Sequence, residues 1–283
     1  MWLPYAIIST VSSGFRRVYD KSLSGRFGNF SFGFLLNFFA IVPIAIMVFF
    51  LKPADDILNM PWQFWWPLIV SVIFQYPLQN YLYIRAIREG ELSSVVPLMA
   101  LLPAFNAVTS FFLVGERPTF LGIIGIFTIV LGTYLMLKKK EAHVKLRPEL
   151  FMILSMVIAA FGSSLDKVAL GVAEPVFYSL VSTVATVLVL LPFMYFAGEL
   201  KDLKKMHAAP GHLVIVGCLF AISIVSLEIA FSHGPTSYVL ALRSGNLFIG
   251  ALWGFFALKE QLTQRKLLAI LCFIIGSVLL AFA

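Results

Sequence analysis

The amino-acid sequence predicts an all-α polytopic membrane protein, with ten transmembrane helices in two inverted five-helix repeats. Three observations carry that prediction. The first is composition: of 283 residues, 60% are hydrophobic and only 12% charged, whereas a soluble domain runs near 25% charged. The second is run length. The apolar stretches are about 20 residues long, enough to cross roughly 30 Å of hydrocarbon at about 1.5 Å per residue. The third is internal similarity. Residues 86–136 align without a gap to residues 230–280, an offset of 144, with 13 identities in 51 positions. Apolar helices share residues by composition alone, so the weight lies with Gly90/Gly234, Glu116/Glu260, Thr119/Thr263 and Gly132/Gly276. The starts of the halves echo as well, Phe15, Asp20 and Lys21 falling on Phe161, Asp166 and Lys167 at an offset of 146.

The spans read in order as 2–22, 30–51, 62–86, 92–114, 119–137, 150–170, 176–197, 211–232, 236–257 and 264–282. Span one ends with Lys21 at the far interface, where its ammonium can snorkel. It lacks a basic start and a small-residue cleavage pattern, so it reads as a span rather than a signal peptide. Span two, "FLLNFFAIVPIAIMVFFL", does not alternate and so excludes a β-barrel strand. Trp62, Trp65 and Trp66 open span three as an interface belt. Span four contains Pro97 and Pro103, tolerated in a membrane where neighbouring groups or water satisfy the backbone. Thr119 stands where span five needs an N-cap, as Thr263 does for span ten. Span six carries Asp166 and Lys167, span eight Glu228, and span nine Arg243. Gly250 and Gly254 in span nine form a G-x-x-x-G that allows close approach, fitting a crossing of spans four and nine or a dimer face.

The one compositional break is the hydrophilic run from Lys138 to Glu149. It marks a first repeat over residues 1–137, a linker over 138–149, and a second repeat over 150–283. Five spans per repeat is an odd number, so the second must enter the membrane from the opposite face. Of 21 Lys and Arg, 17 lie on the side of the loops after spans one, three, five, seven and nine, which predicts both termini outside. The net charge of +7 is therefore assigned to topology and lipid headgroups rather than to nucleic acid. Cys218 and Cys272 lie within apolar spans and read as packed thiols. No metal-ligand spacing and no Gly-rich phosphate loop is present, so neither a metal nor a cofactor is expected. The adjacent carboxylates Asp55 and Asp56 sit in a loop and read as solvated turn residues, which argues against a Mg²⁺-dependent membrane transferase.

Residues 83–137 combine a turn at Gly90 and Ser93, Pro97 in the next span, Gly115-Glu116 followed by Thr119, and Gly132 near the end of span five. This pattern resembles the drug/metabolite transporter superfamily, specifically the EamA-type proteins. Gly234, Ser237, Glu260, Thr263 and Gly276 repeat it more loosely, with Lys259 in place of the glycine. The resemblance spans essentially the whole chain and is silent about substrate. It implies transport of a small organic solute by alternating access, and termini in the cytoplasm, against the charge count.

An ionisable group inside hydrocarbon needs a partner, a water-filled cavity or an escape to the interface. Arg243 lies seven residues into span nine, and Glu228 lies at a similar level on span eight. They form either an ion pair or a site where Arg243 captures an anionic group and Glu228 carries a proton. Arg16, Asp20 and Asp166 are further candidates for ion pairing or proton coupling, Arg16 and Asp20 being i, i+4 neighbours. Gln75 and Gln79 stand one turn apart beside Pro77 and share a face. With Tyr83 and Asn106 they are candidate neutral contacts. The expected function is a secondary transporter of a small polar, amino-acid-like metabolite in the inner or plasma membrane, binding Gln75, Gln79, Tyr83, Asn106, Glu228 and Arg243. The expected partners are that solute and the lipid bilayer, with a homodimer as a candidate assembly. The rival readings are a non-transporting receptor or complex subunit and, behind it, a membrane transferase.

Overall fold

A computed structural model describes residues 1–23, 27–90, 95–137, 146–208, 210–246, 248–249 and 264–283. Among these, ten main helices follow one another, with 3₁₀ helices at Ile57–Asn59 and Leu200–Ala208 in the connections: α1 (Trp2–Leu23), α2 (Asn29–Leu51), α3, α4, α5 (Phe120–Leu137), α6 (Leu146–Ala169), α7 (Pro175–Phe196), α8 (Pro210–His233), α9 (Thr236–Arg243) and α10 (Gln264–Ala281). Helix α3 is composite, running Trp62–Ile69, a π segment Val70–Gln75, then Tyr76–Glu89. Helix α4 opens as a 3₁₀ turn, Val96–Leu101, and continues as Leu102–Val114. Each irregularity ends two residues before a proline, Pro77 or Pro103. A proline ring displaces the carbonyl four residues back and offers it no N–H, so the preceding turn must widen or tighten.

Helix α6 begins at Leu146, four residues before the expected span, because Pro148 is tolerated in a first turn and Glu149 complements the helix's positive end. Five helices are long and apolar enough to cross a membrane by length and composition, and α5 and α10 contain shorter apolar stretches. Large side chains such as Phe50, Phe112 and Phe196 are more than three-quarters exposed. Such a surface is stable only against lipid, so the chain is a multi-pass integral membrane protein.

The helix pairing has an approximate two-fold relation. Helix α1 packs on α8 as α6 packs on α3, while α2 meets α7, α4 meets α9 and α5 meets α10. Individual hydrogen bonds obey the same relation. Ser9 Oγ donates to the Ser223 carbonyl at 2.8 Å, and its repeat counterpart Ser155 Oγ donates to the Gln79 carbonyl at 3.0 Å. Asp55, expected as a solvated turn residue, also reaches a helix start in the other repeat. Asp55 Oδ2 accepts the N–H of Glu174, the residue before α7, at 2.6 Å, and in the other repeat Asp202 Oδ2 accepts the N–H of Gly28, the residue before α2, at 2.7 Å. Each repeat thus satisfies orphan amides at a helix start in the other.

Glycines make the tightest crossing. A Cβ on Gly132 of α5 would lie 2.8 Å from the Ala269 carbonyl of α10, and one on Gly276 would lie 2.8 Å from the Gly125 carbonyl. These repeat-related glycines let the backbones touch, the arrangement expected where lipid removes any hydrophobic drive between helices. The anticipated G-x-x-x-G at Gly250 and Gly254, and the second-half residues Lys259, Glu260 and Thr263, lie outside the described residues. So does Ser93.

Candidate functional site

Two neighbouring cavities between the repeats are lined by ionisable side chains of the membrane helices. The first, of about 140 Å³, is walled by α2, α3, α6, α7 and α8. Asp166 enters it from α6, where its Oδ1 accepts hydrogen bonds from Tyr178 OH at 2.6 Å and Ser71 Oγ at 3.3 Å. Glu228 enters from α8, only 2% exposed. Its Oε2 has no hydrogen-bond partner among the described residues. The charges that act on Glu228 are those of Asp166 and Arg243. The π segment of α3 supplies Ser71, Val72 and Gln75 to this wall. Gly162 of α6 leaves room for Gln75, because a Cβ there would lie 2.6 Å from the Gln75 Oε1.

The second cavity, of about 220 Å³, contains Arg243, Arg16, Gln79 and Asn246. Three repeat-related pairs line it together: Ser13 with Ala159, Met99 with Arg243, and Leu102 with Asn246. The cavity therefore sits on the two-fold relation of the fold. In every pair the polar member comes from α1 or the start of span nine, and the apolar member from α4 or α6. One wall is polar, with Asn246 Nδ2 donating to Ser13 Oγ at 3.4 Å, and the facing wall is greasy. The cavities are neighbours: Arg16 lines the second, and its guanidinium stacks 5.1 Å from the ring centroid of Phe220, which lines the first.

A charged latch closes one end of this interface. Glu116, after α4, accepts the backbone N–H of Thr236 at 2.9 Å and its hydroxyl at 2.9 Å. Lys167 Nζ lies 3.7 Å from Glu116 Oε1 and donates to the carbonyls of Phe231 and Gly234. Glu116 thus serves the start of α9 rather than that of its own neighbour α5. That start is capped by Thr119, whose Oγ1 accepts the Gly122 N–H at 3.0 Å.

Of the residues singled out from sequence, Gln75, Asp166 and Glu228 meet in the first cavity, and Arg16, Gln79 and Arg243 in the second. Asn106 lines neither. It is fully buried between α4 and α6, donating to the Ala160 carbonyl at 3.0 Å and to Ser164 Oγ at 3.2 Å. Tyr83 packs beside Ala86, Val95 and Met152. The side chain of Asp20 lies outside the described residues. Sequence reasoning missed Tyr178, Ser71, Asn37, Ser13 and Asn246. Asn246 follows Arg243 by three residues and was legible as a same-face neighbour. The others are neutral polar residues of a kind that also occurs throughout the lipid-facing spans.

Comparison with known proteins agrees with this architecture. The model of the EamA-like transporter family matches the chain twice, at residues 1–138 and 146–282. No curated protein matches the sequence. Among 29 structurally similar solved chains, one aligns over 99% of this chain and 96% of its own length, with a TM-score of 0.76 and 14% identity. That identity carries the fold alone. The family groups transporters of the drug/metabolite type rather than enzymes. The chain belongs to the EamA-like transporter family.

Proposed function

We propose that this protein is a secondary transporter that carries a small, polar, amino-acid-like metabolite across the inner or plasma membrane by alternating access. The observation that carries the reading is the second cavity, which lies where the repeats meet and has one charged wall and one apolar wall. In inverted-repeat transporters the solute sits at the repeat interface while one half rocks against the other. Arg243 is suited to a carboxylate or similar anion, because a guanidinium offers paired donors at fixed geometry. Gln79 and Asn246 add neutral hydrogen bonds, and Met99, Leu102 and Met156 suit an apolar portion. A volume of about 220 Å³ falls below the roughly 300–1,000 Å³ of drug-sized sites, which favours a small metabolite.

The test is solute flux in sealed proteoliposomes across a panel of L-amino acids, each paired with its carboxamide. The free carboxylates should move faster than the carboxamides, and Arg243→Ala should erase that preference. If no solute moves, or if Arg243→Ala transports an anionic solute as well as wild type, the reading fails.

A further inference from the structure

Glu228 occupies an unusual position. It is 98% buried, it faces the first cavity, and its Oε2 accepts no hydrogen bond from the described residues. Asp166, its acidic neighbour, is differently placed. Two hydroxyls donate to one Asp166 oxygen, so hydrogen bonds satisfy it in place of the water that burial removes. A buried carboxylate oxygen that no donor satisfies is stabilised by a nearby cation or by a bound proton. The surroundings of Glu228 contain both influences. Asp166 on α6 repels its negative charge and Arg243 on α9 attracts it, while the Tyr178 phenol of α7 lies within the field of both carboxylates. From the other packed elements, α1 contributes Arg16, stacked on Phe220, α2 contributes the neutral Asn37, and α3 contributes Tyr76 and Gln75. Lys167 on α6 is engaged by Glu116 and two carbonyls.

We infer that Glu228 is the proton carrier of this transporter and that an anionic solute group binding at Arg243 is what loads it. The inference rests on the second cavity being the solute site. A solute carboxylate that pairs with Arg243 neutralises the charge that had balanced Glu228. The Glu228 carboxylate, left facing Asp166, then takes one proton from the aqueous side to which the cavity is open and becomes a neutral carboxylic acid. No covalent bond other than the O–H bond forms, and the solute's carboxylate and the proton offset each other's charge at the site. Release reverses the order: the anion leaves, Arg243 again attracts Glu228, and the proton passes to the same side. Binding equilibria are reciprocal, so a proton on Glu228 tightens anion binding by the factor that the anion favours the proton. Solute and proton travel together.

The experiment uses the purified full chain and N,N′-dicyclohexylcarbodiimide, which attacks protonated buried carboxyl groups, with the Glu228 adduct quantified by peptide mass spectrometry across pH. In Arg243→Gln, labelling should persist to more alkaline pH than in wild type by about one unit, a tenfold change at fixed pH. In Asp166→Asn the curve should move the opposite way. In wild type, acetate should act as Arg243→Gln does, and its neutral amide acetamide should not. Absence of a Glu228 adduct, equal effects of acetate and acetamide, or shifts of the same sign in the two variants would overturn the inference. Labelling requires no transport. Proteoliposomes that move no solute would therefore reject the transport reading separately, and the labelling curves would still decide on Glu228.

Discussion

Replacing Glu116 with alanine should be among the most destabilising single changes in the loops of this protein. Its carboxylate accepts the Thr236 N–H and hydroxyl, each at 2.9 Å, and stands 3.7 Å from Lys167 with the side chains only 11% and 18% exposed. Hydrogen bonds to a charged group contribute about 1.5–3 kcal/mol each. The substitution removes two and leaves the first amide of α9 without its acceptor. Lys167 keeps its two carbonyl partners, so its charge is not stranded. The combined loss is about 3–5 kcal/mol, the range seen when one partner is removed from a buried charged contact. At roughly 2–4 °C per kcal/mol, the unfolding midpoint should fall by about 6–20 °C. Glu116→Gln keeps an acceptor but loses the charge and should cost about half as much. The assay is thermal unfolding in detergent, extended to a double-mutant cycle with Lys167→Met. A loss below about 1 kcal/mol in Glu116→Ala, or a Glu116–Lys167 coupling energy in that cycle as large as the whole Glu116→Ala loss, would refute the reasoning. The second outcome would mean that the ion pair, and not the cap, dominates.

Gly162→Ala should impair solute flux more than stability. Its Cβ would meet the Gln75 amide, whose flexible end can swing away into the first cavity, and flux alongside thermal unfolding separates the two effects. Gly132→Ala and Gly276→Ala should each cost about 1–3 kcal/mol, because the new methyl would press on backbone carbonyls of the facing helix. The midpoint of unfolding checks this, and an unchanged midpoint would contradict the close α5–α10 crossing. Asp202 gives a pH dependence. The hydrogen bond from Lys205, and then that from the Gly28 N–H, hold its carboxyl below the ordinary aspartate value. Since the folded state has the lower value, this stabilisation is present above about pH 3.9 and is lost as pH falls through the depressed folded value. Asp202→Asn should therefore be less stable than wild type at neutral pH and converge with it in acid.

Much of the scaffold is legible in the sequence. The ten spans follow from apolar run length, and the repeat follows from the spacing of Gly, Glu and Thr. Charges in the spans pointed to Asp166, Glu228 and Arg243 because hydrocarbon makes each of them costly. The reading was less successful with neutral groups. Asn106 and Ser71 look alike in sequence, yet Asn106 bonds a neighbouring helix while Ser71 faces a cavity. Asp55 read as a solvated turn residue, but its partner, the Glu174 amide, is 119 residues away in the chain. Local sequence carries no trace of such a contact.

Gln75 and Gln79 mark the division most clearly. Membrane class, span number and repeat depend on quantities that run along the chain: apolar length set against the thickness of the bilayer, and residue spacing set against itself. Those were readable directly. Four residues apart, the two glutamines also read as one polar face. In the folded protein one lines the first cavity and the other the second. Four residues displace them by about 6 Å along a helix, and Gln75 ends a π segment that alters the helical turn just before it. Which side chains share a cavity depends on how each helix is rotated and on what its neighbours leave open, as Gly162 does for Gln75. Those are properties of packed helices, and they appear only when the two repeats come together.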